Sequence, residues 1–300
     1  MSNDSKVWLN GNLIPWQEAT VPLLSHGFSR GSAIFDLFGV HVGPTGPVAF
    51  RIDEHLNRFM NSAALLDMQM AYSTEEIIEA VKSAVDINQL GRGLVKMIAY
   101  WSEEAIINLV LDSKLDLAIF TIPESKDLAL DQHRPLSACL SKWRKIHPET
   151  VPVGAKACSN YLNGYLARRN ASKRGFDIGI MLSTDGFLAE GSVEAIFIVK
   201  DGVLKTPPLG RVLSSITRMS ILQAVPEIGI PVKEEPISAY DLLAADEVFT
   251  AHTGIKVEAI TRLENRELPE GAITKQVMKL MDDIIQFKDE RFQDWFQPLF

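Results

Sequence analysis

A polar stretch at residues 123–134, PESKDLALDQHR, constrains this fold more than any other feature of the chain. It interrupts a pattern that elsewhere mixes short β-type runs with amphipathic helices, and it leaves a strand-rich set of elements on each side. Three hundred residues exceed what one core usually organises, so roughly two domains of ~100–200 residues are expected. The reading is an α+β (mixed α/β) chain: an N-terminal domain over residues 1–122, an interdomain linker over 123–134 and a C-terminal α+β domain over 135–300.

The N-terminal part begins as strands. Lys6–Leu9 and Leu13–Trp16 flank Asn10-Gly11-Asn12, a hairpin signal, and Ala33–Val42 turns through Gly43-Pro44-Thr45-Gly46-Pro47 into Val48–Phe50. Leu56, Phe59, Met60, Ala63 and Ala64 follow Asp53 at helical spacing. Ser73-Thr74-Glu75-Glu76 is a capping box opening a helix to about Asn88, and strands are predicted near Leu94–Trp101, Ile106–Leu111 and Leu115–Ile122. Beyond the polar break the pattern predicts a strand at Leu136–Ser141, a helix over Asn160–Lys173 stopped by Gly175, and strands through Val203. Helices at Thr217–Val225 and Ile273–Phe287 flank strands near Val232 and Glu247–Thr250.

Several function classes are excluded early. The net charge of −8 and the lack of a basic stripe argue against nucleic acid. No run approaches the ~18 apolar residues a membrane span requires, and the opening MSNDSKVWLNG holds no apolar signal core, so a cytoplasmic address is expected. Cys139 and Cys158 are too few for a disulfide framework or a thiolate zinc site, and the six histidines show no ligand spacing. Neither a dinucleotide fingerprint nor a P-loop occurs. Gly27-Phe28-Ser29-Arg30-Gly31 matches a nucleophile elbow, with Asp246 and His252 later in the chain, but a strand-like run follows it where a helix is required. A Ser29 hydrolase is therefore the distant alternative, and a glycine-flanked turn is the plainer reading.

Three places carry chemistry. Lys156 is the only charged residue between Thr150 and Ala167. In apolar surroundings the neutral amine is favoured, which is the form a Schiff-base nucleophile needs; alternatively the head group snorkels to water. Phe187–Val199 reads as one strand returning from the Asp185-Gly186 turn, which would put Glu190 and Glu194 on one face, lining either a polar pocket or a solvated surface. Leu213-Ser214-Ser215-Ile216-Thr217-Arg218 leads into a helix, where hydroxyls and backbone N–H groups form either an anion site or an ordinary cap.

Taken in order, five strings resemble the fold-type IV pyridoxal-phosphate enzymes, the class that includes D-amino-acid and branched-chain amino-acid aminotransferases. They are Phe50-Arg51-(x)3-His55-(x)2-Arg58, Ala155-Lys156-(x)3-Asn160-Tyr161-Leu162, Leu188-Ala189-Glu190-Gly191-Ser192-(x)-Glu194, Ile216-Thr217-Arg218, and Ala245-Asp246-Glu247-Val248-Phe249 followed by Thr253-Gly254. The resemblance spans Trp8 to about Met281 and implies a two-domain fold with a pseudo-barrel C-terminal domain and a homodimer. It implies pyridoxal 5′-phosphate as cofactor, carried by Lys156, which would also shuttle the proton. Glu190 would face the pyridine nitrogen. Arg58, Ile216, Thr217 and Thr253 would hold the phosphate, Tyr161 the O3′ side, and Leu213 would pack on the ring. Thr253 and Gly254 would receive the substrate α-carboxylate.

The resemblance implies amino transfer between an amino acid, branched-chain-like, and a 2-oxo acid such as 2-oxoglutarate, by a ping-pong route. A D-amino-acid or (R)-amine transaminase, an aminodeoxychorismate-lyase-like enzyme and a non-catalytic relative share the same machinery. Most of the departures line or adjoin the substrate side, where Phe35 would contact the substrate. Arg30 stands where that family has an aromatic, Phe35-Asp36-Leu37-Phe38-Gly39 replaces a Phe-Glu-Gly-Ile-Arg-like string, and Lys96 replaces an Arg. Ala195 replaces an Asn, and Ser214-Ser215 replaces Pro-Gly. Arg30 and Lys96 would add positive charge to the pocket and favour a carboxylate-rich substrate, or would point into solvent.

Overall fold

The computed structural model describes residues 4–125, 128, 130, 132–254 and 256–300. The chain divides into two compact units, one of Met1–Ala129, Ala155–Ser159 and Arg291–Phe300, the other of Leu130–Gly154 and Asn160–Glu290. The expected second domain, 135–300, therefore loses two segments to the first unit, each for a hydrogen-bonding reason. Phe35 N–H donates to the Lys156 carbonyl (3.0 Å), Cys158 N–H donates to the Ala33 carbonyl (2.8 Å), and Ile34 bridges Ala157. Phe296–Pro298 pairs antiparallel with Val48–Phe50. Of the expected linker, residues 126, 127, 129 and 131 lie outside the described residues.

In the first unit, β1 (Lys6–Leu9) and β2 (Asn12–Pro15) form the expected hairpin. Asn10 and Gly11 both take positive φ (47° and 89°), as a two-residue primed turn demands, and glycine does so without a Cβ penalty. There follow α1 (His26–Ser29), β3 (Ile34–Gly43), β4 (Gly46–Phe50), α2 (Ile52–Leu65), α3 (Thr74–Ile87), β5 (Gly93–Tyr100) and β6 (Asp116–Pro123). Among the described residues these build a seven-stranded antiparallel sheet in the order Phe296–Pro298, β4, β3, β5, β6, β1, β2. Alternation splits its side chains. Phe38 and Val40, Val95 and Met97, and Leu117 and Ile119 share a core with the apolar stripes of α2 and α3. Phe35 and Leu37 of β3 and Lys96 and Ile98 of β5 belong to the opposite face, where a cavity of about 480 Å³ is lined by Val7, Leu9, Ile98, Tyr100, Phe120 and Cys158 among others.

The second unit holds β7 (Leu136–Leu140), α4 (Tyr161–Lys173), β8 (Ile178–Leu182), β9 (Leu188–Glu190), β10 (Ala195–Lys200), β11 (Val203–Thr206) and α5 (Ile216–Ala224). It continues with β12 (Val232–Glu234), α6 (Ala239–Leu243), β13 (Glu247–Ala251), β14 (Val257–Leu263), β15 (Arg266–Glu267) and α7 (Ala272–Ile285). Among the described residues its sheet is nine-stranded and mixed, ordered β12, β11, β10, β13, β14, β7, β8, β9, with β15 on β14. Its core joins the inward residues of β7, β8, β10 and β14 to Leu242 and Leu268.

Two strand expectations are corrected. Ile106–Leu111 is not a strand: Ile106, Ile107, Leu109 and Val110 are exposed, Ile107 by 88%, and the segment pairs with no strand among the described residues. The apolar run signalled burial that this chain alone does not provide. Phe187–Val199 is two strands, broken at Gly191–Glu194. Gly191 N–H donates to the Glu194 carbonyl (2.8 Å) and Val193 N–H to Glu194 Oε2 (3.0 Å), so the backbone turns and Glu194 leaves the face of Glu190. Gly164 of α4 makes room for this turn: a Cβ there would lie 2.0 Å from the Ser192 carbonyl oxygen.

Candidate active site

The first unit gathers one group of chemistry-bearing residues. Residues 155–159 run beside the start of β3, which places Lys156 next to Phe35, its Nζ 4.8 Å from the ring centroid. Lys96 Nζ lies 4.7 Å from the same centroid, so two amines flank one aromatic ring on the sheet face opposite the core. The Lys156 backbone is tied to α2: its N–H donates to Ser62 Oγ (3.0 Å), whose hydroxyl donates to the Arg58 carbonyl (2.7 Å). Lys156 is half-buried, and Cys158, two residues on, has its thiol pushed up by burial against the opposing pull of Lys96 and Lys156.

Arg58 stands on the core face. Its Nε donates to Asp36 Oδ2 (2.8 Å) and its Nη2 to Asp36 Oδ1 (2.8 Å), while His55 Nδ1 lies 2.7 Å from Oδ1. Asp36 is 0% exposed. Burial alone would raise its pKa, but the Arg58 charge, then that of His55, with their hydrogen bonds, hold it well below the usual carboxylate range. The sequence expectation gave Arg58's fork to a phosphate; the structure gives the Nε–Nη2 edge to Asp36, because a buried carboxylate demands a bidentate donor.

The second unit gathers another group. Glu190 ends β9, and its Oε1 accepts from Lys145 Nζ at 2.5 Å, with the side chains 15% and 8% exposed. Glu194, expected beside it, instead pairs with Arg168. Thr217 is buried at the start of α5, where Ser215 Oγ accepts from Arg218 N–H (3.2 Å). The N–H groups of Ile216 and Thr217 open that helix and have no intrahelical acceptor. Leu213 precedes it, half-buried, and Tyr161 opens α4, also half-buried. Thr253 and Gly254 form a bend after β13, braced by Lys256 Nζ donating to the Thr253 carbonyl (2.6 Å). His252 Nε2 lies 3.0 Å from Glu258 Oε2.

Arg30 is exposed and donates to the Ile106 carbonyl (3.1 Å). Ser29 ends the four-residue α1, its N–H bonded to the Ser25 carbonyl; it lies within a helical turn, not at a strand-to-helix elbow, and the hydrolase alternative falls. Sequence reasoning singled out neither Asp36 nor Lys145. Asp36 had a signal, an acid at an inward position of an apolar strand. Lys145 had none, since it stands in the charged run Lys142-Trp143-Arg144-Lys145.

Residues 33–263 match the family described as amino-transferase class IV, and the chain belongs to that family. The branched-chain-amino-acid aminotransferase of Salmonella typhimurium LT2 is 31% identical, covering 98% of this chain and 97% of the relative; that of Escherichia coli K12 is 30% identical with the same coverage. Among solved structures, the branched-chain aminotransferase of Thermoproteus uzoniensis with norvaline is 34% identical, covers 99% of both chains and has a TM-score of 0.93. A branched-chain amino acid aminotransferase from T.th., solved with pyridoxamine 5′-phosphate, is 26% identical, covers 100% of both chains and has a TM-score of 0.93.

The fold is type IV, and the enzyme is a transaminase that works with pyridoxal 5′-phosphate. Each unit carries side chains whose chemistry fits such a group: the first a half-buried amine, Lys156, which would suit a carbonyl, and the second a carboxylate, Glu190, and the capped N-terminus of α5, which would suit a ring N–H and a phosphate dianion.

Proposed function

We propose that this chain moves the amino group of a branched-chain amino acid to a 2-oxo acid such as 2-oxoglutarate by a ping-pong route, with Lys156 as the cofactor-bearing and proton-transferring residue. The cofactor supplies a carbonyl that condenses with amines and a ring that accepts the electron pair released at the substrate Cα. The carrying observation is the placement of Lys156. Its backbone is fixed on both sides, by Phe35 N–H on its carbonyl and by Ser62 Oγ on its N–H, so its side chain pivots from a rigid base. Proton transfer at neutral pH needs such an amine to alternate between free base and ammonium, and the Phe35 ring gives the charged form a π contact.

The remaining roles are those the family resemblance implies, and charge and hydrogen bonding suit several of them. Glu190 would face the ring nitrogen and keep its proton there. The N–H groups of Ile216 and Thr217 and the Thr217 hydroxyl hold the phosphate, with Thr253 and the Arg58 charge in support. Tyr161 would address the cofactor's O3′ side, and Leu213 would pack on its ring. Phe35 bounds the substrate site, Gly254 with Thr253 receives the α-carboxylate, and Lys96 draws the distal carboxylate of 2-oxoglutarate or glutamate. The active unit is a homodimer in the cytoplasm. Leu23, Phe28, Ile106, Ile107, Leu109 and Val110 are exposed apolar side chains of one unit, and large apolar side chains left exposed in such number support a surface covered by a partner.

The test is Lys156→Ala beside wild type, assayed with L-leucine, D-leucine and an (R)-amine as donors and 2-oxoglutarate as acceptor. The wild type is expected to use the L-donor, and the variant to lose roughly 10⁴-fold or more in kcat while keeping wild-type circular dichroism. A variant with ordinary turnover removes the assignment of Lys156; a preference for the D-donor or (R)-amine removes the substrate assignment alone.

A further inference from the structure

We propose that Lys145 is a positioning residue of the active site, acting through Glu190 to keep the exchangeable proton on the cofactor's ring nitrogen rather than on the carboxylate; this rests on the reading that Glu190 faces that nitrogen.

The geometry is unusual for a loop lysine. Lysine is ordinarily solvated and mobile, yet Lys145 is 7% exposed as a residue and its ammonium meets Glu190 Oε1 at 2.5 Å. Both partners hang from neighbouring positions of one strand. Lys145 N–H donates to the Leu182 carbonyl (2.9 Å), and Glu190 pairs with Met181 in the β8–β9 ladder. The loop is clamped a second time by α4: Ile146 N–H donates to Asn163 Oδ1 (3.1 Å), and Asn163 Nδ2 donates to the Arg144 carbonyl (3.0 Å). Four anchored contacts hold one ammonium against one carboxylate, more than a surface ion pair has or needs.

The consequence is electrostatic. A proton shared between a carboxylate and a pyridine nitrogen occupies one side or the other. Lys145 touches the carboxylate, so a proton on the carboxylate oxygen lies closer to the ammonium than a proton on the ring. Like-charge repulsion therefore drives it outward, to the nitrogen. Holding Oε1 also fixes the carboxylate plane, leaving Oε2 as the oxygen presented to the ring. Lysine suits both tasks, since its charge is concentrated on one nitrogen.

The experiment is ¹⁵N NMR of the holoenzyme reconstituted with cofactor labelled at the ring nitrogen, for wild type, Glu190→Gln, Lys145→Met, Lys145→Gln and Lys145→Arg. In wild type the resonance is expected at the protonated-pyridine position. Glu190→Gln should move it to the neutral position; a resonance that stays put in this variant overturns the reading of Glu190 itself. Given that shift, Lys145→Met and Lys145→Gln should move the resonance part of the way, lower kcat about tenfold or more with KM nearly unchanged, and be rescued by Lys145→Arg. Lys145→Gln keeps a donor for Oε1 without the charge and serves alone where Lys145→Met does not load cofactor. A wild-type resonance in the charge-free variants, with Glu190→Gln shifted, overturns the role of Lys145.

Discussion

Asp36 and Glu190 are both carboxylates at strand positions, each beside a basic side chain, and they are built for different work. Asp36 is fully buried and accepts two bonds from Arg58 with His55 against the same oxygen. Its acceptor capacity is spent inside the first unit, and its charge is locked in by its neighbours. Glu190 is partly exposed at the end of a three-residue strand, and among the described residues its side chain has one hydrogen-bond partner, Lys145. A saturated carboxylate is framework, whereas one held by a single oxygen keeps the other available for chemistry.

The contrast predicts opposite phenotypes. Asp36→Ala leaves a guanidinium buried without its counter-ion and should cost about 3–5 kcal/mol in urea denaturation. Because the Asp36 carboxyl is held below its ordinary value, its stabilisation is fully present above the unfolded pKa near 4 and is lost as pH falls through the lower folded value. The wild-type advantage over the variant should therefore shrink only in strong acid. A variant as stable as wild type at neutral pH would show that the buried cluster is not framework.

Glu190→Gln should behave in the reverse way. The amide still offers Lys145 an oxygen, so stability should change by only about 1 kcal/mol. On the role proposed for Glu190, kcat should fall roughly 10²–10⁴-fold, since the group assigned to hold the ring proton is gone. Comparable losses of stability and activity in both variants would erase the distinction between the two carboxylates.

The same contrast explains what was legible in the sequence. Lys156 stood out because charge isolation is a linear signal, and Glu190 because its strand is apolar on both sides. The hairpin at Asn10-Gly11 and the capping box at Ser73 were legible because their causes are local. The break at Gly191–Glu194 was not, since it depends on Gly164 of a separate helix accepting the Ser192 carbonyl at close range. The transfer of Ala155–Ser159 to the first unit was hidden for a similar reason: its acceptors and donors, at Ala33, Phe35 and Ser62, are more than ninety positions away. Ile106–Leu111 misled because hydrophobicity reports a need for cover and is silent on what supplies it.

Lys256 extends the comparison to a buried cation solvated by a neutral dipole. It is 5% exposed and its ammonium donates to the Thr253 carbonyl at 2.6 Å. Burial lowers its pKa to about 7. Between pH 7 and the ordinary lysine value the unfolded chain binds the additional proton, so stability should rise with pH across that window, and below pH 7 the whole cost of burying the ammonium persists. Lys256→Met removes that cost and also the bond to Thr253, worth about 1 kcal/mol. The net expectation is a gain of roughly 3–4 kcal/mol at pH 6 that vanishes or reverses by pH 10, measured by urea denaturation at both pH values. A gain that does not depend on pH would mean that the folded and unfolded chains bind the Lys256 proton equally, so that the amine keeps its charge when buried and its pKa is not lowered.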